Sequence, residues 1–287
     1  QAVHAAETAQ TGLDYFDSWA AELIETGYLH NHARMWFASI WIFTLKLPWR
    51  LGADFFLRNL LDGDPASNTL SWRWVAGLHT RGKPYVAQAS NIARFTEDRF
   101  MPRAQELTQS ASGLEALEPG GLPECKAPRV PNAPQLHLPT ALLLTEEDCR
   151  IEDFPFQDLI CTAAATLAAS PLRSPREVAQ LVVRFEAGAL ADVAQRSGLA
   201  VSAMQIGAPS DLARWALQSG AQQIVTPYVP IGPLRDWLAR AQPELEAAGI
   251  SLTEWRRDWD AMIWPHATAG FFKVKKQIPK FLRTICA

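Results

Sequence analysis

At 287 residues the chain is long enough for two cores at roughly 150 residues per domain, which excludes a stapled mini-protein. Its 48% hydrophobic and 20% charged residues exclude collagen-like, coiled-coil and wholly disordered classes. The net charge of −3 supplies no global basic field, so any contact with a polyanion must come from a local patch.

In chain order, residues 13–29 repeat Leu13, Phe16, Trp19, Ala20, Leu23 and Ile24 at three- and four-residue spacing, the apolar face of an amphipathic helix. Gly27 is placed to end it, because glycine takes the left-handed conformation without a Cβ clash. A second helix is expected over 31–45, stopped by Pro48, and a third over 49–61, stopped by the turn Asp62-Gly63-Asp64-Pro65. Residues 1–107 therefore read as a helical domain.

Residues 108–138 are rich in Pro and Gly and lack apolar periodicity, the signature of an interdomain linker. Across 139–287 short apolar runs at 141–144, 180–185, 199–204 and 223–225 alternate with helix-like segments at 211–219 and 233–248. That alternation predicts βαβ units and a parallel sheet, so the fold class is α plus α/β: an all-helical portion followed by a smaller parallel-sheet domain.

No apolar run approaches the ~20 residues of a membrane span. Cys125, Cys149, Cys161 and Cys286 form no CxxC and read as free thiols of a reducing cytoplasm. The chain opens on Gln1 without a signal pattern, so a cytoplasmic protein with an upstream segment removed is expected.

The chemistry concentrates in three motifs: GYLHNHARM (27–35), Trp49-Arg50, and DGDPASNTLSWRW (62–74). They bring two Asn, an Arg, two carboxylates and several indoles near helix ends, a set suited to a polar and aromatic pocket. Metal chemistry is not supported. His30 and His32, two apart, point to different faces of a helix, and the Asp62/Asp64 pair has Ala66 where a calcium loop needs its third ligand. No GxGxxG or GxxxxGK[ST] occurs.

Residues 12–100 resemble the later half of the helical FAD-binding domain of the photolyase/cryptochrome family, whose pattern G-W-x-H-N-x-x-R-M, W-R-x-G, D-G-D-x-A-x-N-x-x-x-W-x-W is met nearly residue by residue. The resemblance implies that Asn31 and Arg34 contact FAD, that Arg34 pairs with Asp62, and that Asp62 and Asp64 hydrogen-bond the isoalloxazine and ribityl region. It implies that Asn68 faces flavin N5, and that Trp72 and Trp49 are the inner members of the chain passing an electron to light-excited flavin. It further implies that Met35 and Trp74 line a cavity for a flipped-out pyrimidine dimer, with Tyr28 standing where the family has Trp. Trp36 and Trp41 read as core residues, with substitution for the missing outer tryptophan as the alternative.

Three departures qualify the resemblance. The family's phosphate-gripping segment T-S-x-L-S-P-Y-L is absent and would lie upstream of Gln1, a partner of this chain if it is the later part of a longer protein; the alternative is a truncated relative that binds flavin poorly. Where classical photolyases carry R-x-F-N-P after the Lys83-Pro84-Tyr85 position, residues 86–91 read VAQASN. An α/β segment follows the helical one instead of preceding it; LLLTEEDCRIEDFPF (142–156), with Asp148, Arg150 and Asp153 in register, resembles the opening of the family's antenna domain. Residues 139–287 thus read as a permuted or degenerate antenna-like domain, with the antenna chromophore left open, and the run Lys273-Val274-Lys275-Lys276 as a solvated edge. Three activities stand open: blue-light repair of pyrimidine dimers in damaged DNA by a photolyase, a lyase; a flavin-based light sensor; and a flavin-free scaffold.

Overall fold

The computed structural model describes residues 1–268 and 270–285. A short helix α1 (Ala2–Glu7) precedes α2 (Asp14–Thr26), which buries Tyr15, Phe16, Trp19, Ala20 and Leu23, most of the stripe expected of it. Gly27 ends α2 at φ 69° with its N–H on the Leu23 carbonyl at 2.9 Å, the left-handed cap that a Cβ would strain. Helix α3 (Asn31–Ser39) runs on into a π-helical turn at Ile40–Thr44, so the helix expected over 31–45 is present but widened in its last turns.

Helix α4 (Trp49–Asn59) begins directly after Pro48, and α5 (Pro65–Val75) begins with Asp64 as its N-cap, the carboxylate accepting from Ser67 N–H at 2.5 Å. Helix α6 (Ala89–Phe95) follows. These helices close on an aromatic core in which Phe37 stacks on Phe16 at 4.2 Å and tilts against Phe56 at 5.1 Å, with Trp36, Trp41 and Trp72 buried.

The chain divides into two units, one of Gln1–Pro123 with Ser170–Phe185, the other of Glu124–Ala169 with the residues from Glu186 onward. The first half of the Pro- and Gly-rich stretch is tied to the helices: Thr108 Oγ1 donates to the Phe43 carbonyl at 2.8 Å, Leu114 N–H to Ala76 at 2.9 Å, and Glu118 pairs with Arg73 at 2.7 Å. Residues 170–185 are tied there too. Arg176 reaches Glu7 at 2.5 and 2.7 Å, Glu7 also accepts from Arg58 at 3.0 Å, and Ala179 N–H meets the Arg58 carbonyl at 3.0 Å. Glu7 is a buried carboxylate with two guanidinium partners, the arrangement that makes burial of a charge tolerable.

In the second unit β1 (Pro139–Thr145), β2 (Ile160–Ala168), β3 (Val201–Gln205), β4 (Gln223–Pro227) and β5 (Ser251–Trp255) form an all-parallel sheet in the order β3-β2-β1-β4-β5. Helices α7 (Gln180–Ser197), α8 (Ser210–Gln218) and α9 (Pro233–Ala247) connect successive strands after β2. After β5 come α10 (Asp258–Ile263), α11 (Gly270–Lys275) and α12 (Ile278–Ile285). The strand order reverses direction between β1 and β4, the position where open α/β sheets leave a crevice at their carboxyl ends.

Two expectations for this sheet are corrected. The apolar run 180–185, read as a strand, is the first turn and a half of α7; its buried residues Val182, Glu186, Leu190, Val193 and Ser197 lie on one helical stripe, and the six-residue window was too short to reveal that period. Strand β2, which the sequence reading omitted, is made mostly of Ala and Thr, so it lacks the large β-branched run that marks a strand, yet it pairs on both edges. Cys125, Cys149 and Cys161 are free thiols; Cys286 lies outside the described residues.

Candidate functional site

One face of α3 carries Asn31, Arg34, Met35 and Ala38, spaced three and four apart, and one face of α5 carries Ser67, Asn68, Ser71, Trp72 and Val75. These faces, with Phe56 and Leu60 of the α4 end and the Asp62-Gly63-Asp64 turn, line a cavity of about 500 Å³, within the size range of small-molecule sites. The cavity lies wholly within the helical unit.

Arg34 is fixed at two points. Its Nε donates to the Leu29 carbonyl at 2.8 Å, and its Nη2 donates to both Asp62 carboxylate oxygens at 3.1 and 2.9 Å. Asn31 heads α3, where His30 caps the helix through Nδ1 accepting from His32 N–H at 3.3 Å, and its Nδ2 contacts Met35 Sδ at 3.8 Å. Asn68 is buried and donates Nδ2 to the Ala53 carbonyl at 2.8 Å, which orients the side chain and leaves its amide oxygen as an acceptor.

Trp72 sits one turn beyond Asn68, and its Nε1 is buried without a hydrogen-bond partner. That N–H is closed off from solvent, so what Trp72 brings to the lining is its ring. The lining combines the carboxylate, guanidinium and amide groups of Asp62, Asp64, Arg34, Asn31 and Asn68 with Met35, Ala38, Phe56, Leu60 and the Trp72 ring. Such a wall fits a flat heteroaromatic ring system with hydrogen-bonding edges, and so the residues fit a flavin.

Gly52 explains the fourth position of the W-R-x-G motif. A Cβ there would collide with the Trp72 ring edge and reach Trp41 Cε2 at 3.0 Å, so α4 approaches α5 only through a glycine. Trp72 in turn meets Phe56 edge-on at 5.1 Å and Trp41 edge-on at 6.2 Å, and Trp41 Nε1 donates to the Pro48 carbonyl at 3.0 Å.

Residues 1–104 match the family model described as the FAD binding domain of DNA photolyase. Residues 1–104 belong to the photolyase/cryptochrome family. The photolyase segment is 44% identical over 82 residues to a deoxyribodipyrimidine photo-lyase of Streptomyces griseus, 29% of this chain and 18% of that protein. It is 35% identical over 105 residues to the Agrobacterium fabrum photo-lyase, 34% of this chain and 22% of that protein, and 37% identical over 79 residues to the one from Escherichia coli K12, 28% and 17%. The chain thus spans less than a quarter of the length of these relatives. No solved structure matches it.

Of the residues expected at the photolyase site, Asn31, Arg34, Met35, Asp62, Asp64, Asn68, Trp72 and Trp74 all line the one cavity. Tyr28 and Trp49 do not. Tyr28 lies beneath the Arg34 guanidinium, 5.3 Å from the ring centre, and Trp49 lies between Arg50 and Arg73 at 5.6 and 5.9 Å. Trp74 stacks on Tyr85 at 5.3 Å, where burial pushes the phenol pKa up.

The sequence reading missed Ser67, Ser71 and His79, which also line the cavity. Ser67 and Ser71 carry the helical spacing of their neighbours and were recoverable from it. His79 arrives from the turn after α5, held by its N–H on the Arg73 carbonyl at 3.2 Å, and no periodicity marks it.

The sheet unit has an open pocket of about 680 Å³ lined by Asp148, Arg150, Glu152 and Arg196 among others, and a cavity of about 120 Å³ beyond the carboxyl ends of β1, β4 and β5, lined by Asp148, Tyr228, Trp255, Arg257 and Trp264 among others. Arg257 bridges Asp148 and Asp153, and Arg150 reaches Asp153 at 2.9 Å, so the three residues aligned with the family's antenna motif form one ionic cluster.

Proposed function

We propose that the helical unit holds FAD in the cavity between α3 and α5 and uses blue light to drive electron transfer through it, with pyrimidine-dimer repair in damaged DNA as the reaction. The observation that carries this reading is the convergence of Asn31, the Arg34–Asp62 pair, Asp64, Asn68 and the Trp72 ring on one cavity of about 500 Å³. The match of residues 1–104 to the FAD binding domain of DNA photolyase supports it.

When bound and reduced, the flavin supplies a strong light-activated one-electron donor; the protein's part is to bind, orient and exclude water. Arg34 and Asp62, locked to each other and to Leu29, offer a fixed donor–acceptor edge. Asn68, anchored on Ala53, presents an acceptor at a set depth. Trp72 sits in the buried wall as the proposed first electron donor, with Trp49 proposed as the next donor outward. Met35 and Trp74 line the cavity beside these polar groups and offer an apolar and aromatic surface on which an extruded pyrimidine dimer can rest.

The sensor reading is favoured by one observation: Arg73, one of few cations near the site, is already paired with Glu118 at 2.7 Å, which leaves a modest surface for DNA phosphates. The sheet unit is proposed as antenna-like on its strand order and its Asp148–Arg150–Asp153 cluster. Of its pockets, one of about 120 Å³ falls below ligand-pocket size and one of about 680 Å³ is an open basin lined by Asp148, Arg150, Glu152 and Arg196 among others; no chromophore is assigned to either.

An oligonucleotide carrying one thymine dimer separates the readings. Incubated with flavin-loaded protein, it regains undamaged thymines under blue light and not in the dark if the chain repairs; no repair from a protein whose flavin is photoreduced assigns it to sensing.

A further inference from the structure

The run Lys273–Lys276 reads from sequence as a solvated edge, but its surroundings give it a sharper role. Between residues 270 and 285 the chain carries Lys273, Lys275, Lys276, Lys280 and Arg283 and no carboxylate, in a protein of net charge −3. Among the described residues none of these five cations is in an ion pair, whereas arginines elsewhere in the sheet unit, such as Arg129, Arg196, Arg235 and Arg257, are each held by a carboxylate. Beside the cations, Phe271 and Phe272 are 63% and 73% exposed, a large apolar area left in water next to unneutralised charge.

Helix α12 decides the kind of partner. Its apolar residues Ile278, Phe281 and Leu282 share one face; Phe281 is buried and packs on His266 at 5.3 Å, while Ile278 and Leu282 are 36% and 49% exposed. Lys280 and Arg283 are exposed. A lipid-surface helix keeps its apolar face free for the bilayer. Here the one aromatic ring of that face is spent on the protein, and the largest exposed apolar groups, Phe271 and Phe272, stand beside the cations.

Unpaired cations that track a backbone and exposed rings that stack on bases are the combination by which single-stranded nucleic acid is held without sequence preference. We propose that residues 271–283 form a binding surface for single-stranded nucleic acid, separate from the cavity of the helical unit. It goes beyond the flavin reading and stands or falls independently of it.

The test is fluorescence anisotropy of a labelled oligothymidylate of about 15 nucleotides titrated with the full chain across a salt series. With five phosphates neutralised, log K falls against log salt with a slope of about −3.5. The variant K273Q/K275Q/K276Q reduces that slope to about −1.4, and F271A/F272A weakens binding by roughly tenfold or more at every salt concentration. Both variants keep the circular dichroism and flavin content of the parent chain. Asp62→Ala, which acts on the cavity, leaves the oligonucleotide affinity unchanged. Unaltered slope and affinity in both tail variants overturn the proposal, and so does wild-type binding to phosphatidylglycerol vesicles with none to the oligonucleotide.

Discussion

Arg34 and Asp62 illustrate how a single ion pair becomes a binding edge. The pair is partly exposed, so its contribution to folding is small, but both groups line the cavity and each fixes the other's orientation. Asp62→Ala is expected to lower flavin affinity at least tenfold, about 1.4 kcal/mol, while the fold persists; flavin content after gel filtration reads it, and unchanged content removes Asp62 from the site. Trp72 tests a different property. Trp72→Phe keeps the ring and loses the easily oxidised indole, so flavin stays bound while photoreduction slows at least tenfold; photoreduction at the parent rate excludes Trp72 as donor. The ring contact between Trp72 and Trp41, and the placement of Trp49 between two guanidinium groups, make the Trp41→Phe and Trp49→Phe variants the natural companions of that experiment.

At the scale of elements, the close approach of α4 to α5 is the feature that builds the wall of the site. Gly52→Ala inserts a methyl group into the Trp72 ring edge, and overpacking of this kind costs roughly 1–3 kcal/mol. Thermal unfolding is expected to shift down by several degrees, with loss of bound flavin; a variant as stable as the parent shows that α4 can move away freely. The helices were legible because their signals are local: Gly27 as a left-handed cap, Pro48 before α4, Asp64-Pro65 at the head of α5, and apolar residues at three- and four-residue spacing. Eight of the ten residues singled out by the resemblance line the cavity. The failures have physical causes as well. The start of α7 looks like a strand because Val182 and Val183 sit in a short apolar run, and only the stripe continuing through Glu186 to Val193 gives the period away. Strand β2 was invisible because its neighbours, and not its own side chains, make it a strand. That Tyr28 and Trp49 stay outside the cavity depends on side-chain direction, which spacing alone does not give.

Over the whole molecule, paired charge ties stability to pH. In the sheet unit, Arg196 holds the Glu152 carboxyl below its usual range, and Arg257 with Arg150 does the same for Asp153. Carboxylates with depressed folded pKa values stabilise the fold above their unfolded values, about 3.9 for Asp and 4.3 for Glu, and lose that contribution as pH falls through the folded ones. Asp260, raised mainly by burial, acts in the opposite direction. The urea midpoint of the sheet unit is therefore expected to hold from neutral pH to about 4.5 and to fall below it, and Arg257→Gln is expected to flatten that fall. A midpoint independent of pH in the parent chain contradicts the role given to the ionic cluster. The helical unit draws on distant sequence: Glu7, Arg58 and Arg176 meet in one network, so residues 170–185 belong to its fold as much as α1 does.

The central claim is that the cavity between α3 and α5 is a flavin site. The most direct measurement is the absorption spectrum of the purified chain, in the dark and after blue light, with the cofactor released by heat and identified by mass spectrometry. The account predicts FAD, present in the dark spectrum, bleached by blue light and lost in Asp62→Ala. A chain that stays colourless after incubation with FAD contradicts it.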